Sequence, residues 1–428
     1  MTTYWAPLLH TYQPTFQDRE ILRVINEECY KPLFSMLQEH ENSAFSVNFN
    51  ANLIDMLQEN NLSETLDIIN NLRSNKKIEI VGAAKFHPIL PLIPQEEARR
   101  QILLNEEIHV KIFENWERNG FFPPELSINS DIVKILSELG YKWILSSGIG
   151  CPVNWPYNKI YRSPQGITLY FRDDILSNKI SFNNITAKQF ISHLKELFND
   201  EAEPKNNDKY VITAMDSETF GHHHKNYERL FLSKALELIE DEEEIELIFI
   251  SELDKIFPKY DNPIIPQASS WSTSKGDLKE NIPYPLWNNP NNNTHRLYWK
   301  MMQALGNLMS LVLELSNTKK TIIKEYINTA RWFYDQCFCS DTLWWANPDK
   351  GIWSPNLVYK GIDLLMKATL NAQLALTYAG RPELGESYYN SINSYHGFIV
   401  MELNTISQML HNSSIKKEKV ELNNSLLK

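Results

Sequence analysis

The sequence predicts an α/β fold in which a TIM-like barrel of parallel strands is followed by a bundle of α-helices. Short apolar runs alternate with longer segments of helical spacing from residue 4 to about 251, a pattern typical of parallel strands joined by helical crossovers. Seven or eight such units in roughly 250 residues indicate a barrel. A segment rich in Pro and Asn follows, and helical spacing returns near residue 293, which predicts a bundle.

The clearest strand is the apolar run of residues 210–215, in which only Thr213 is polar. A near-continuous apolar run predicts a strand that is covered on both faces. The run ends in Asp216 and continues through Glu218 to the histidines at 222–224. Because the active sites of parallel barrels lie at the carboxyl ends of the strands, we expect Asp216 to lie in the active site.

Further elements follow from the same patterns along the chain. Strands are predicted at residues 4–10, 44–50, 78–84, 121–122, 143–147, 167–172, 210–216 and 245–251. Helices are predicted at residues 18–39, 63–74, 94–119, 130–140, 186–198, 227–239, 293–315, 320–337, 354–378 and 382–410. Pro94 suits the first turn of its helix, and we expect Gly120 and Gly140 to end the two helices that precede them.

The length predicts more than one structural unit, because single cores stop growing at about 250–300 residues. The change in composition after residue 251 places a boundary near residue 260. We therefore predict a barrel at residues 1–260, a helical domain at 261–411 and a polar tail at 412–428.

Composition excludes several classes of protein. A net charge of -11 disfavours general nucleic-acid binding, which requires a basic surface. The four cysteines are scattered and predict reduced thiols rather than a disulfide framework. The sequence has no signal-peptide pattern and no apolar run of about 18 residues that could span a membrane, so we expect a cytoplasmic protein with no membrane partner. We expect no cofactor, because a glycine-rich phosphate loop is absent; the oligomeric state stays open.

Polar side chains with possible chemical roles follow several of the predicted strands. They are His10 and Gln13 after the first strand, Glu79 and His87 in and after the third, Glu125 after the fourth, and Asp216 and Glu218 after the seventh. Carboxylates on two strands of one barrel mouth suggest a glycosidase, since glycosidic bonds are commonly broken by an acid acting with a base or nucleophile. Either acid alone could instead cap a neighbouring helix or turn.

Five motifs resemble, in order, those of glycoside hydrolase family 57, an amylase-like family. They are His10-Thr-Tyr-Gln13-Pro14, Glu79-Ile-Val81, Phe122-Pro-Pro-Glu125, Asp216-Ser-Glu218-Thr-Phe-Gly221 and Ala268-Ser-Ser-Trp271. The chain departs from the family pattern at Phe122 for Trp, Leu126 for Arg and Ser217 for Gly. The resemblance implies an incomplete (β/α)7 TIM-like barrel with a C-terminal α-helical bundle domain that contributes to the active-site cleft.

The resemblance also implies a reaction, namely retaining hydrolysis of α-glucans or 4-α-glucanotransfer by double displacement. Glu125 would be the nucleophile and Asp216 the general acid/base, with their carboxyl groups about 5–5.5 Å apart. The side chains expected to bind the oligo- or polysaccharide substrate are His10, Gln13, Glu79, His87, Arg172, Glu218, His222 and Trp271. For each of these a structural role is the alternative.

Two other functions stay open. Related barrels include metal-dependent carbohydrate deacetylases, in which His10, Asp216 and the histidines at 222–224 would hold a divalent ion. We expect no metal there, because successive residues of an extended segment point to opposite faces. The other alternative is a non-catalytic carbohydrate-binding protein, which the presence of both acids in their motif positions disfavours.

Overall fold

The computed structural model describes residues 1–153, 157–197 and 208–426. The chain divides into two compact units, Met1–Pro283 and Tyr284–Lys428, so the division comes later than the boundary predicted near residue 260. The reason is that residues 268–273 are hydrogen-bonded within the first unit. The backbone N–H of Ile128 donates to the carbonyl of Ser269, and that of Trp271 donates to the carbonyl of Glu125.

The first unit contains nine strands in its described residues. They are β1 (Thr3–Thr11), β2 (Phe45–Phe49), β3 (Ile78–Val81), β4 (Gly120–Phe121), β5 (Trp143–Ser147), β6 (Tyr161–Arg162), β7 (Thr168–Arg172), β8 (Lys209–Asp216) and β9 (Ile245–Leu247). All eight predicted strands are present, although β3 ends at Val81 and β9 at Leu247, three and four residues earlier than predicted. The short strand β6 was not predicted.

The strands form two mostly parallel sheets. In the first, β3, β2, β1 and β8 are neighbours in that order, and β9 also pairs with β1. In the second, β4, β5 and β7 are parallel and β6 is an antiparallel edge. A parallel bridge joins Gly82 to Phe121, and the N–H of Asp173 donates to the carbonyl of Ile212, so backbone contacts connect the two sheets at both ends.

The helices of the first unit lie largely where helical spacing predicts them. They are α1 (Arg19–Ile25), α2 (Lys31–Glu39), α3 (Ala51–Glu59), α4 (Glu64–Ser74), α5 (Gln95–Ile112), α6 (Ser130–Leu139), α7 (Asp174–Asn183), α8 (Ala187–Glu196), α9 (Lys234–Glu240), α10 (Leu253–Ile256) and α11 (Lys275–Lys279). Helices α3, α7, α10 and α11 were not predicted. The helix predicted at 18–39 is interrupted by the π-helical turn Asn26–Tyr30. Residue 198, predicted to end α8, lies outside the described residues.

The two predicted glycine stops have different outcomes. Gly140 ends α6 in a left-handed conformation, with φ 91°, as predicted. The prediction for Gly120 was wrong, because α5 ends at Ile112 and Gly120 opens β4. A side chain there would place its Cβ 2.0 Å from Cζ2 of Trp143, so the position requires glycine for close packing.

The second unit consists mainly of helices. They are α12 (Asn293–Leu313), α13 (Thr321–Cys337), α14 (Asp341–Trp344), α15 (Pro355–Tyr378) and α16 (Pro382–Leu426), with a short antiparallel pair of β10 (Ala346–Asn347) and β11 (Ile352–Trp353). Helix α15 packs against α13, and α16 packs against α12 and α15. Helix α16 continues to Leu426, through most of the segment predicted as a polar tail. Within the described ranges, no helix is long and apolar enough to cross a membrane.

Alternation along β1 and β8 separates two cores. Trp5 and Leu9 of β1 pack in a cluster with the surrounding helices, whereas Ala6 and Leu8 pack in a second cluster that both sheets line. Along β8, Ile212 belongs to this second, inner cluster. Because side chains alternate between the faces of a strand, His10 and Asp216 continue the inner face, at the carboxyl ends of β1 and β8.

Candidate active site

The inner face of the first sheet presents two successive layers of side chains at its carboxyl edge. The upper layer contains residues that are in register across four strands, namely His10, Asn48, Val81 and Asp216. The lower layer, two residues earlier in each strand, contains Leu8, Ser46, Glu79 and Ala214. The layers are roughly 6–7 Å apart along the strands. The register therefore brings the first and fourth motifs together in the upper layer.

Glu125 lies in a short 3₁₀ turn after β4 and is held from two directions. The indole N–H of Trp271 donates to its Oε2 at 2.7 Å, and the backbone N–H of Trp271 donates to its carbonyl at 3.0 Å. Its backbone has φ 58°, a left-handed conformation that costs free energy for a residue with a side chain. The carboxyl group is thus fixed by the fifth motif.

Two stacked imidazoles link Glu125 to the upper layer. His87 Nδ1 lies 3.7 Å from Glu125 Oε1, and His87 Nε2 lies 3.1 Å from His10 Nε2. His10 stacks on Phe122 with ring centroids 4.5 Å apart, and Tyr12 stacks on His87 at 3.8 Å. Burial lowers the pKa of His10 to about 4 and lowers that of His87 well below its ordinary value, so both rings are neutral at pH 7.

Glu218 is the buried carboxyl group of the fourth motif. The Tyr30 hydroxyl and the Gln13 amide nitrogen both donate to its Oε1, the latter at 2.8 Å. Burial, together with the negative charge of Asp216, raises the pKa of Glu218 to about 8. A protonated Glu218 therefore lies beside Asp216 at pH 7, which limits the negative charge at this side of the site.

The π-helical turn Asn26–Tyr30 supports the segment after β8. Beside the bond from Tyr30, the Cys29 thiol donates to the carbonyl of Ser217 at 2.9 Å. Gly221 has φ 122°, and a Cβ there would lie 2.0 Å from the carbonyl oxygen of Glu28. The two segments are in close backbone contact, and π-helical turns are frequent at functional sites.

Arg172, at the end of β7, is tied to several neighbours. It donates through Nε to the carbonyl of Ala214 at 2.8 Å and through Nη1 to Asp174 at 3.0 Å. Its guanidinium carbon lies 5.6 Å from the ring centroid of Trp271. Arg172 thereby positions the indole whose N–H holds Glu125.

Two of the predicted site residues lie away from this group. Glu79 is in the lower layer, where it accepts hydrogen bonds from the Ser46 hydroxyl at 2.6 Å and the Ser251 N–H at 3.3 Å. His222 lies 3.2 Å from Glu28 Oε2. Hydrogen bonding to protein groups indicates a structural role for both side chains.

The histidines at 222–224 do not converge. His224 Nε2 donates to the carbonyl of Ser181 at 2.8 Å, whereas His222 faces Glu28. Within residues 1–153, 157–197 and 208–426, no group of three or more His, Cys, Asp or Glu side chains is arranged to hold a metal ion. The deacetylase hypothesis therefore gains no support from the arrangement of the side chains.

Sequence reasoning missed three residues of the site: Asn48, Tyr12 and Tyr30. Asn48 Oδ1 lies 2.5 Å from His10 Nδ1. The alternation of Ser46 and Asn48 with apolar residues in β2 is a period-2 signal that could have revealed an inward polar position. Tyr12 lies within the first motif, but nothing in the sequence indicates that its ring stacks on His87. Tyr30 gives no signal either, because its position depends on the π-helical turn.

Comparison with known proteins agrees with the motifs. The sequence model of the family described as "Glycosyl hydrolase family 57" matches residues 4–265. The chain is similar to an alpha-amylase of Pyrococcus abyssi, with 25% identity over 284 residues, covering 63% of this chain and 41% of the relative. A 4-alpha-glucanotransferase of Thermococcus litoralis gives the same identity and coverage. The chain thus spans about two-fifths of the length of these relatives.

A solved structure covers nearly the whole chain. It is a GH57-type branching enzyme from Pyrococcus horikoshii, with a TM-score of 0.73 and 16% sequence identity, covering 94% of this chain and 96% of that chain. At this identity the likeness concerns the fold.

Proposed function

Because the chain belongs to glycosyl hydrolase family 57, we propose that it is a retaining glycosidase or transglycosylase that acts on α-glucans. Glu125 is the nucleophile and Asp216 is the general acid/base of this proposal. The names of the relatives, alpha-amylase and 4-alpha-glucanotransferase, support both hydrolysis and transfer to a sugar acceptor.

The observation that carries the proposal is the chain of contacts from Glu125 to the upper layer. Glu125 faces His87, His87 contacts His10, and His10 is in register with Asp216. Three motifs that are far apart in sequence, the first, third and fourth, are connected in this way, and the indole of Trp271 adds the fifth. An acid on each side of one cluster is the arrangement that a double displacement requires.

The two half-reactions follow from these positions. A carboxylate oxygen of Glu125 forms a bond to the anomeric carbon while the glycosidic C–O bond breaks, and Asp216 gives its proton to the leaving oxygen. Asp216 then takes a proton from a water or a sugar hydroxyl. The oxygen of that acceptor attacks the anomeric carbon and releases Glu125 as a carboxylate. Whether water or a sugar is the acceptor decides between hydrolysis and transfer.

The neighbouring groups suit these roles. The N–H of Trp271 stabilises an ionised Glu125, because hydrogen bonds to a charged acceptor are strong. His10, Gln13, His87, Arg172 and Trp271 are the side chains of the cluster that we propose to bind or to position the substrate.

We further infer that the two sheets form an incomplete (β/α)7 barrel. This inference is supported by the bridge at Gly82 and by the hydrogen bond from Asp173 to Ile212, which connect the sheets. It is also supported by the number of parallel strands, which are β1, β2, β3, β4, β5, β7 and β8.

Product analysis with maltooligosaccharides tests the proposed function. Wild-type protein, Glu125→Gln, Asp216→Asn and the matched control Glu79→Gln are incubated with a single oligosaccharide, after circular dichroism has confirmed their folding. Shorter products alone indicate hydrolysis, and a ladder that includes longer products indicates transfer. We expect the control to match the wild type and the other two variants to be inert. An inactive wild type, or an active Glu125 variant, would overturn the proposal.

A further inference from the structure

Four side chains form a continuous row that ends at the proposed nucleophile. Asn48 Oδ1 lies 2.5 Å from His10 Nδ1, His10 Nε2 lies 3.1 Å from His87 Nε2, and His87 Nδ1 lies 3.7 Å from Glu125 Oε1. Both imidazoles are nearly inaccessible to solvent. Each ring nitrogen in the row therefore faces another polar group of the protein.

The number of protons in the row is fixed by the neutrality of the rings. Burial keeps His10 and His87 uncharged at pH 7, and a neutral imidazole has one N–H and one accepting nitrogen. A hydrogen bond between the two Nε2 atoms needs one donor and one acceptor. Only two arrangements satisfy this requirement, and they differ in the direction of every hydrogen bond in the row.

In the first arrangement His10 donates to the Asn48 oxygen, and His87 donates to His10. His87 Nδ1 then turns a lone pair toward the carboxylate of Glu125, which is unfavourable. In the second arrangement the amide nitrogen of Asn48 donates to His10 Nδ1, His10 donates to His87, and His87 Nδ1–H points at Glu125. The second arrangement requires a half-turn of the Asn48 amide, which exchanges the positions of its nitrogen and oxygen. These two atoms have nearly the same size.

The surroundings of Asn48 favour this half-turn. Its Nδ2, with the amide as placed, is buried and has no hydrogen-bond partner among the described residues. A buried N–H without an acceptor is rarer than a buried carbonyl that lacks a donor. As placed, the amide leaves two N–H groups without an acceptor, whereas after the half-turn it donates one N–H to His10 and leaves one N–H and the oxygen without a partner.

We propose that Asn48, His10 and His87 form a one-way hydrogen-bond relay that directs His87 Nδ1–H to the Glu125 carboxylate. Asn48 and His10 are positioning residues, since they act through His87. The distance of 3.7 Å shortens when the substrate complex forms, as hydrogen bonds of catalytic groups commonly do. His87 and Glu125 both have left-handed backbone conformations, with φ values of 55° and 58°. These unusual conformations indicate that the two loops are constrained in a way that brings the side chains together.

The relay adds a positioning role for three side chains to the proposed function. Its expected effect on activity rests on that function. Its N–H and the indole N–H of Trp271 reach different oxygens of Glu125, so together they hold the ionised carboxylate. Two charged residues border the groups of this cluster: the Arg172 guanidinium carbon lies 5.6 Å from the Trp271 ring centroid, and Asp216 is in register with His10.

Nitrogen NMR of the histidine side chains tests the relay without using activity. Protein with ¹⁵N-labelled histidine is measured at pH 8, and His10→Gln and His87→Gln assign the signals. His109 is an internal reference, because its Nε2 must donate to the carbonyl of Phe49, 2.8 Å away. We expect His10 in the Nε2–H form and His87 in the Nδ1–H form. His87 in the Nε2–H form would overturn the relay even in an active enzyme.

A substitution reverses the relay. In Asn48→Asp the carboxylate accepts only, so at pH 8 we expect His10 to change to Nδ1–H and His87 to Nε2–H. We expect kcat to fall roughly 10- to 100-fold, as for the loss of one hydrogen bond to a charged group. The matched control Asn71→Asp, on the exposed face of α4, leaves both tautomers and kcat unchanged. Should Asn48→Asp keep the wild-type tautomers, the relay is wrong, whereas an inactive wild type refutes only the proposed function.

Discussion

The upper and lower layers of the first sheet both contain buried polar side chains, but their surroundings differ. In the lower layer, Glu79 accepts hydrogen bonds from Ser46 and Ser251, which lie in and next to the sheet. In the upper layer, His10 connects through His87 to Glu125 in loops beyond the strands. From this difference we expect a carboxyl group one layer inside the sheet to have a structural role. Chemistry becomes possible only where the strands end and the loops add groups.

Exchanging one carboxyl group in each region tests this difference most strongly. We expect Glu125→Gln and Asp216→Asn to lower kcat by about 10³-fold or more, because each removes a group that makes or breaks a bond. Glu79→Gln keeps an acceptor for Ser46 and should change kcat by less than about threefold. Initial rates with a maltooligosaccharide give these values. Equal losses for Glu79 and Glu125 would abolish the distinction between the layers.

The pH dependence of stability tests the buried state of Glu218. Its pKa is about 8 in the folded protein and has an ordinary value of 4.5, so its contribution to stability is full below pH 4.5 and is lost as the pH rises to 8. We expect the free energy of unfolding of the wild type, relative to Glu218→Gln, to fall by at most about 4 kcal/mol between pH 5 and 8. Urea unfolding at several pH values measures the free energy of unfolding of both proteins. A difference between wild type and variant that does not change with pH would contradict the buried state of Glu218.

Gly221 tests how closely the π-helical turn must approach the segment after β8. In Gly221→Ala the new Cβ would lie 2.0 Å from the Glu28 carbonyl oxygen, and we expect a loss of about 3 kcal/mol in the free energy of unfolding. The control Gly140→Ala also has positive φ but meets no atom within 4 Å, so we expect a loss of only about 1 kcal/mol. Thermal and urea unfolding measure the loss of stability in both variants. Equal losses would mean that the π-helical turn and the segment after β8 separate easily.

Trp271→Phe tests the indole bond to Glu125 while keeping an aromatic ring. We expect kcat to fall roughly 10- to 100-fold, because a charge-assisted hydrogen bond is lost. The control is Trp299→Phe, whose N–H donates to the carbonyl of Trp287 at 2.8 Å in the helical unit. If both variants have wild-type rates, the indole N–H does not contribute to the reaction.

Much of this arrangement could be predicted from the sequence, because the strands follow a simple rule. Apolar runs predicted β1 and β8 and placed His10 and Asp216 at the carboxyl ends of these strands. Helix α3 was missed, since its apolar residues follow directly on those of β2.

Contacts that depend on unusual backbone could not be predicted. His87 and Glu125 have positive φ, and the residue types at these positions do not predict such a conformation. The contact of Tyr30 with Glu218 requires the π-helical turn. Glu79 was predicted to lie in the site because its motif was recognised, and only the strand register shows that it lies one layer below His10 and Asp216.

In the proposed reaction Glu125 forms a covalent bond to the sugar, and this bond can be trapped. Asp216→Asn is incubated with an α-maltosyl fluoride, whose leaving group needs no proton, so the glycosyl-enzyme forms but is released slowly without the general base. The protein is then digested and analysed by mass spectrometry. We predict one maltosyl unit on the peptide that contains Glu125, and none in the double variant with Glu125→Gln. Release of fluoride without an adduct, or an adduct on another residue, would contradict the account.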